Sequence, residues 1–579
     1  MHLGPFDGCS VVNPATWPSP LRRPQGCSVV CRWGWLAAFA ALLIGARAGT
    51  AADDPVFDVR ALLDTPLNAK VLKSTVSGQI VTEEVRFHSE RDGEQDVEIF
   101  AFFSYPKGGR RLPAYIWNPG GLSQSSPAFT EVGARRGYAT LCIDFPQKGY
   151  RSTGNYDIIA GLVLEGDPRR APIYHGAVAL LKAVSFLESR PEVDRQRIGM
   201  AGSSWGGFFT TFMAGIDPRP KVASSLYGSG NLHLGNAWWD GDSKNGREPP
   251  SPDERERWRT TLDPAWRLPT KRIPIAWITG VNDQFYLLPG VIQSHEMAAG
   301  PRHLTLLPNW HHALPQKLHD ELVLAWLDVH LKGAPPFPTA TPLVIQNDRG
   351  RLTARWEFQG KATVADLIVS YGDAGNWRGR YWHTLPAQIK GSGVVAEFPA
   401  SRLPCFVSGS ITDPRGIRVS TPVLKVEAQQ LGNETQRAVP DYNGCAEWGG
   451  FEEDHLAYLA RHNASGQTRW IPQPSRDPYR GKQSALLKPG RTDLAPILST
   501  ATIPHRLTAY LKADRPTRVS LSLAGETAEF DVGNKWTQIQ MEHTPPNTLM
   551  GGTFASITSP EGSVVLIDQV EFRPIPSDE

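Results

Sequence analysis

The segment Gly202-Ser203-Ser204-Trp205-Gly206-Gly207 follows the apolar run Arg197 to Ala201 and precedes the apolar stretch Phe208 to Ala214. A strand that enters Gly-x-Ser-x-Gly and leaves as a helix turns sharply enough to lift a serine hydroxyl clear of a sheet, which makes Ser204 the candidate nucleophile. A neutral hydroxyl attacks poorly; it needs an imidazole to take its proton and a carboxylate to hold that imidazole in one tautomer. After such an elbow the acid comes next in the chain and the base last. Asp283, in Gly280-Val281-Asn282-Asp283 just past the run Ile275 to Thr279, fits the acid, with Asp240, Asp242 and Asp253 as rivals in an earlier loop. His311 and His312 both stand where the base belongs, in Pro308-Asn309-Trp310-His311-His312 beyond another short apolar run. Negative charge on the former carbonyl oxygen requires backbone N–H donors. The N–H of Trp205 and the loop Asn118-Pro119-Gly120-Gly121, with Gly121 as donor, are the candidates. Trp238 and Trp239 are candidates for lining a substrate cleft, while His175, His233, His295, His303 and His319 lack ligand spacing, so neither a metal nor a cofactor is expected.

These residues need a sheet to stand on. From about Asp53 to Gly333 short β-branched runs alternate with helical patterns, which predicts an α/β architecture, a mostly parallel sheet covered on both faces. Strands are expected at 97–105, 113–117, 139–144, 197–201, 222–226, 273–279 and 304–307, and helices at 175–189 and 316–331. The breaker Ala334-Pro335-Pro336-Phe337-Pro338 closes this part. Beyond it the period changes from helical to alternating, at 351–356, 364–371 and 394–398, as in a small β-sandwich over about 339–430. The same alternation at 507–511, 518–523, 536–541 and 564–572 predicts a second sandwich or jelly roll over 431–579.

Composition narrows the partners. With 579 residues, 40% hydrophobic and 20% charged, the chain is too long for a single core and is neither disordered nor fibrous. The balance of 60 Lys and Arg against 58 Asp and Glu, +2 net, creates no basic field for nucleic acid or an anionic membrane. Arg22, Arg23 and Arg32 precede an apolar run from Trp33 to Gly45 that is too short to span a bilayer, and small-residue cleavage sites follow at Ala46-Arg47-Ala48 and Thr50-Ala51-Ala52. Residues 1–52 therefore read as a secretory signal with an N-terminal extension, whose loss removes four Arg and one Asp and leaves a net charge of −1. A secreted or periplasmic protein with no stable membrane span is expected. In such a compartment Cys142, Cys405 and Cys445 remain: Cys142 reads as a buried free thiol, and Cys405 and Cys445 are the pair available to a disulfide.

Tyr174-His175-Gly176-Ala177, Arg190-Pro191-Glu192-Val193-Asp194 and the elbow around Ser204 together resemble the acetyl xylan esterase and dienelactone hydrolase-like branch of the α/β-hydrolases. Gly280-Val281-Asn282-Asp283 and Pro308-Asn309-Trp310-His311-His312 also resemble the PhoPQ-activated pathogenicity-related proteins. The resemblance spans roughly 85–332 and implies Ser204, Asp283 and His312 as the triad, because it places the base last in the Pro-Asn-x-x-His loop. It also implies an exported serine esterase acting through an acyl-enzyme, with an ester on a polysaccharide as first choice of substrate. A prolyl-oligopeptidase-type peptidase and an inactive hydrolase serving as a binding protein are the alternatives. Asn443 to Glu452, Leu507 to Ala513 and Asp568 to Phe572 look like strands of galactose-binding-like jelly rolls, in which Trp448, Trp470 and Trp536 would stack on sugar or fill the core.

Overall fold

A nine-stranded sheet runs in the order β1-β2-β3-β5-β4-β6-β7-β8-β9. Its strands are β1 (Lys70–Ser77), β2 (Ile80–Asp92), β3 (Gln95–Pro106), β4 (Leu112–Asn118), β5 (Ala139–Ile143), β6 (Val193–Ser203), β7 (Ala223–Leu226), β8 (Ile275–Gly280) and β9 (Arg302–Leu307). The first three strands and the β3–β5 pair are antiparallel; every pairing from β5 through β4 to β9 is parallel. The helices are α1 (Val59–Asp64), α2 (Pro127–Arg135), α3 (Pro172–Ser189), α4 (Trp205–Ile216), α5 (Pro252–Thr261), α6 (Leu288–Met297) and α7 (Gln316–Lys332). This computed structural model describes residues 54–121, 123–157, 166–236, 250–270, 272–310, 312, 316–348, 351–371, 377, 380, 382–399, 404–427, 450–451, 473–494, 504–544 and 555–575.

Why the sheet is buried on both faces can be read along β4. Ala114 and Ile116 pack with α3 and α4, whereas Tyr115 and Trp117 pack with residues of α2 and α7. Side chains alternate faces along a strand, so a parallel strand covered on both sides must be apolar at every position. The strand order, the antiparallel start and the helices on both faces are those of the α/β-hydrolase fold. The sequence reading named no strand before Val97; β1 and β2 form a hairpin there, whose first strand is exposed throughout and carries no buried face to mark it.

Two β-sandwiches follow. In the first, the strands Thr339–Ala340, Val344–Asp348, Arg351–Gln359, Gln388–Lys390 and Gly393–Pro399 face the strands Val364–Tyr371, His383–Pro386, Cys405–Thr412, Arg418–Ser420 and Leu424–Val426. Their shared core includes Leu352, Trp356, Leu367 and Val407. The second pairs a five-stranded with a four-stranded sheet around Leu507, Leu511, Leu521 and Phe572. All described pairings in both sandwiches are antiparallel. Trp536 is half-buried outside the second core, edge-on to Tyr479, which stacks on Tyr510 at 3.7 Å. Trp448 and Trp470 lie outside the described residues.

The first sandwich is welded to the hydrolase sheet. Ile368, Trp377, Trp382 and Phe406 belong to the same apolar cluster as Ile275, Trp277, Leu304 and Leu306 of β8 and β9. Among the described residues Cys142 and Cys405 are buried free thiols, Cys405 pushed up to about 12 by burial; Cys445 lies outside them. Among the described residues no helix is long and apolar enough to cross a membrane.

Candidate active site

Ser204 sits between β6 and α4 at φ 56° and ψ −120°, a backbone conformation that costs an ordinary residue about 1–3 kcal/mol. The fold enforces it from both sides. The Ser204 N–H donates to Leu226 O at 3.0 Å, and the Ser204 carbonyl accepts from Phe208 N at 2.9 Å. Close approach explains the flanking glycines: a β-carbon on Gly206 would lie 1.9 Å from Asn118 O, and one on Gly202 would lie 2.5 Å from Gly206 O. The backbone crossing needs bare Cα atoms at both positions.

The acid and base loops leave the ends of β8 and β9 side by side. Val281 N donates to Leu307 O at 3.0 Å, and Asn282 N to Trp310 O at 3.0 Å. Asp283 is buried; its Oδ1 accepts from Phe285 N and Tyr286 N, both at 2.8 Å, which turns Oδ2 toward His312 Nδ1 at 2.8 Å. His312 Nε2 is 2.7 Å from Ser204 Oγ. A carboxylate on Nδ1 selects the tautomer that presents the Nε2 lone pair to the serine hydroxyl. The His312 backbone N–H is anchored on Gln284 Oε1 at 3.0 Å. Its ring lies edge-on to Tyr227 and Phe285, each 4.8 Å between centroids, with Tyr286 at 5.9 Å. Burial, with the charge of Asp283 adding to it, holds the phenols of Tyr227 and Tyr286 above their ordinary pKa, so neither competes with His312 as a base.

On the other side of Ser204, a β-carbon on Gly120 would stand 3.6 Å from the Ser204 β-carbon, so this backbone borders the nucleophile directly. Gly121 packs against the Trp205 indole, and its carbonyl accepts from Tyr150 Oη at 3.4 Å. Asn118 Nδ2 donates to Thr210 Oγ1 at 2.9 Å, tying the end of β4 to α4. Just beyond the glycines, Ser125 donates its N–H and its hydroxyl to buried Asp144 at 2.6 and 2.7 Å, and Arg151 Nε donates to the same carboxylate at 2.8 Å. The N–H of Trp205 heads α4, where the first turn of a helix leaves its donors without intrahelical acceptors.

The structure thus brings together Ser204, Asp283, His312, Trp205 and Gly121. Asp253 is exposed in the first turn of α5 and is no rival to Asp283; Asp240, Asp242, His311, Trp238 and Trp239 lie outside the described residues. Sequence reasoning passed over Asp144, Tyr150, Arg151 and Gln284, and named Asn118 only as part of the glycine loop. The signal for Asp144 was present, a carboxylate at the end of an apolar strand, but only the fold shows that it braces a neighbouring loop. His295 and His303 are buried in the body, both pKa values lowered to about 3 by desolvation. Among the described residues no group of three or more His, Cys, Asp or Glu is placed to hold a metal ion.

No family model matches the chain. The uncharacterized protein PA2218 of Pseudomonas aeruginosa is 35% identical over 127 residues, covering 21% of this chain and 31% of that protein. YtaP of Bacillus subtilis is 28% identical over 110 residues, 19% of this chain and 36% of the relative. The chain therefore matches about a third of the length of these curated relatives. Among solved structures, an acetyl xylan esterase from a Paenibacillus species is 21% identical with a TM-score of 0.41, covering 47% of this chain and 92% of that one.

Proposed function

We propose that this chain is an exported serine hydrolase that cleaves carboxylic esters through an acyl-enzyme, with an acyl group on a polysaccharide, such as acetyl on plant xylan, as its substrate. One observation carries the reading: Ser204 Oγ, His312 and Asp283 stand in series at 2.7 and 2.8 Å, with Ser204 half-buried on a strained elbow. In this reading His312 takes the Ser204 proton as Oγ attacks the ester carbonyl, and Asp283 stabilises the imidazolium. Trp205 N–H and Gly121 N–H receive the oxyanion. The imidazolium then protonates the leaving alcohol, and a water activated by His312 releases the acid and frees Ser204. Export is supported by the basic and apolar pattern before Ala52 and its small-residue cleavage sites. The choice of a glycan ester rests on the resemblance of the sequence and on exposed Tyr479, stacked on half-buried Tyr510 in the second sandwich.

The test is covalent labelling by a fluorophosphonate, with turnover of p-nitrophenyl acetate, acetylated xylan, a glucuronoyl ester and a dipeptidyl anilide. Labelling lost in Ser204→Ala, with hydrolysis of the esters, is expected. Turnover of the anilide alone makes the protein a peptidase. Absence of both labelling and turnover overturns the reading in favour of a binding protein.

A further inference from the structure

The loops that carry Asp283 and His312 do not end on their own sheet. Asn309 begins the turn into His312 at φ 58°, a left-handed conformation that asparagine tolerates better than most residues. Its side chain reaches into the first sandwich, where Nδ2 donates to Trp382 O and Oδ1 accepts from Trp382 N, both at 2.8 Å. Asn282, immediately before Asp283, uses its Nδ2 in the same way, donating to the carbonyls of Arg380 and, at 3.4 Å, Trp377. Asn282, Asn309, Arg380 and Trp382 are all at most 1% exposed, so no bulk water substitutes for these partners. A buried amide keeps its conformation only while its partners stay in place.

The contact is continuous along the sheet edge. Leu306 N donates to Ser420 Oγ at 3.0 Å, Thr305 Oγ1 donates to Arg418 O at 2.8 Å, and Arg418 Nε donates to Leu306 O at 3.1 Å. The strand that delivers the base loop is thereby fixed to the sandwich just before Asn309. The acid and base loops also bond to each other, Val281 N to Leu307 O and Asn282 N to Trp310 O, so each anchor on the sandwich bears on both.

We propose that Asn309 and Asn282 are positioning residues through which the first sandwich's backbone at Trp377, Arg380 and Trp382 sets the orientation of His312 and Asp283. The inference rests on the serine hydrolase reading above. Small displacements of a base from its attack geometry cost large factors in rate without weakening substrate binding.

The experiment uses the full-length chain and p-nitrophenyl acetate. Asn309→Gly accepts the left-handed backbone while deleting both bonds to Trp382; Asn282→Ala tests the second anchor independently if the first variant does not fold. Each is expected to lower kcat by about ten-fold or more with KM within about two-fold, and to slow fluorophosphonate labelling of Ser204 in parallel. Leu352→Ala, in the sandwich core and outside the apolar cluster that joins the sandwich to β8 and β9, reports the effect of destabilisation alone: its Tm falls, but kcat measured well below that Tm stays within about two-fold of wild type. Unchanged kcat in the asparagine variants, with normal labelling of the wild type, overturns the clamp and leaves the hydrolase reading standing. A kcat loss in Leu352→Ala equal to theirs also overturns it. A wild-type chain that neither labels nor turns over ester overturns both.

Discussion

The indole of Trp205 fills the space a side chain on Gly121 would need: a β-carbon there would lie 2.1 Å from Trp205 Cδ1. The two proposed oxyanion donors are therefore packed against each other, one through its ring and the other through its bare backbone. Gly121→Ala forces the loop and the Trp205 indole apart, which displaces one of the two proposed donors. An expected loss of about 100-fold in kcat matches the removal of one oxyanion donor. Adding Trp205→Ala, which keeps the backbone N–H but clears the space, recovers part of that loss. Strict additivity of the two changes in kcat/KM would refute the packing argument.

Asp283→Asn isolates the orienting role of the carboxylate. Its Oδ1 still accepts from Phe285 N and Tyr286 N, so the loop and the Tm hold, but the amide nitrogen facing His312 Nδ1 favours the wrong tautomer. A fall in kcat of about 10⁴-fold is expected. His312→Ala abolishes ester turnover and His311→Ala does not; the opposite result reassigns the base.

Arg267 is a structural rather than a catalytic charge. It is buried against Asp54 at 2.6 Å, and its guanidinium lies over the rings of Phe57, Phe212 and Trp266. Burial works against the Asp54 carboxylate, yet the Arg267 hydrogen bond and charge hold its pKa below the ordinary value. Arg267→Met keeps the packing volume and strands that carboxylate, for an expected loss of about 3 kcal/mol in denaturant unfolding. Asp54→Asn, which retains acceptors for Val56 N and Phe57 N, costs less. Equal losses would show that the ion pair, which both variants break, outweighs the ring contacts that only Arg267→Met removes.

Acid weakens this fold partly through its buried histidines. His295 and His303 have folded-state pKa values lowered to about 3, against an unfolded value of 6.5. Between those limits the unfolded chain binds more protons than the folded one, so stability rises with pH and falls as pH drops from about 6.5 toward 3. His303 also bonds Thr305 Oγ1 at 2.8 Å. His303→Gln keeps a polar partner there and removes the titration. The difference in unfolding free energy between pH 7 and pH 5 is then smaller in the variant than in wild type; an unchanged difference would show that His303 does not contribute.

Much of the catalytic half was legible from the chain because its signals are local. The strand at 139–144 was recognisable from its short apolar run, the helix 316–331 from its period and the elbow from glycines two residues either side of Ser204; beyond the catalytic half, the strand at 364–371 showed in its alternation. The first strand of the β1–β2 hairpin was not legible, since an exposed strand has no buried face to impose a pattern; β2 does alternate, burying Val85 and Phe87, but that signal was passed over. Trp536 is a half-buried surface aromatic, a position composition does not distinguish from the core.

Residue type and order by themselves determined the nucleophile and acid candidates, because each stands at the end of an apolar strand and the fold carries strand ends to one edge. The choice of His312 over its neighbour came from resemblance, not from spacing. What only the tertiary structure decided is long-range: that Asp283 Oδ2 meets His312 Nδ1 29 residues away, and that Asn309 is held by Trp382, 73 residues on and across a proline-rich break. Hydrogen bonds between such distant segments depend on how buried faces pack. No local period in the chain encodes that.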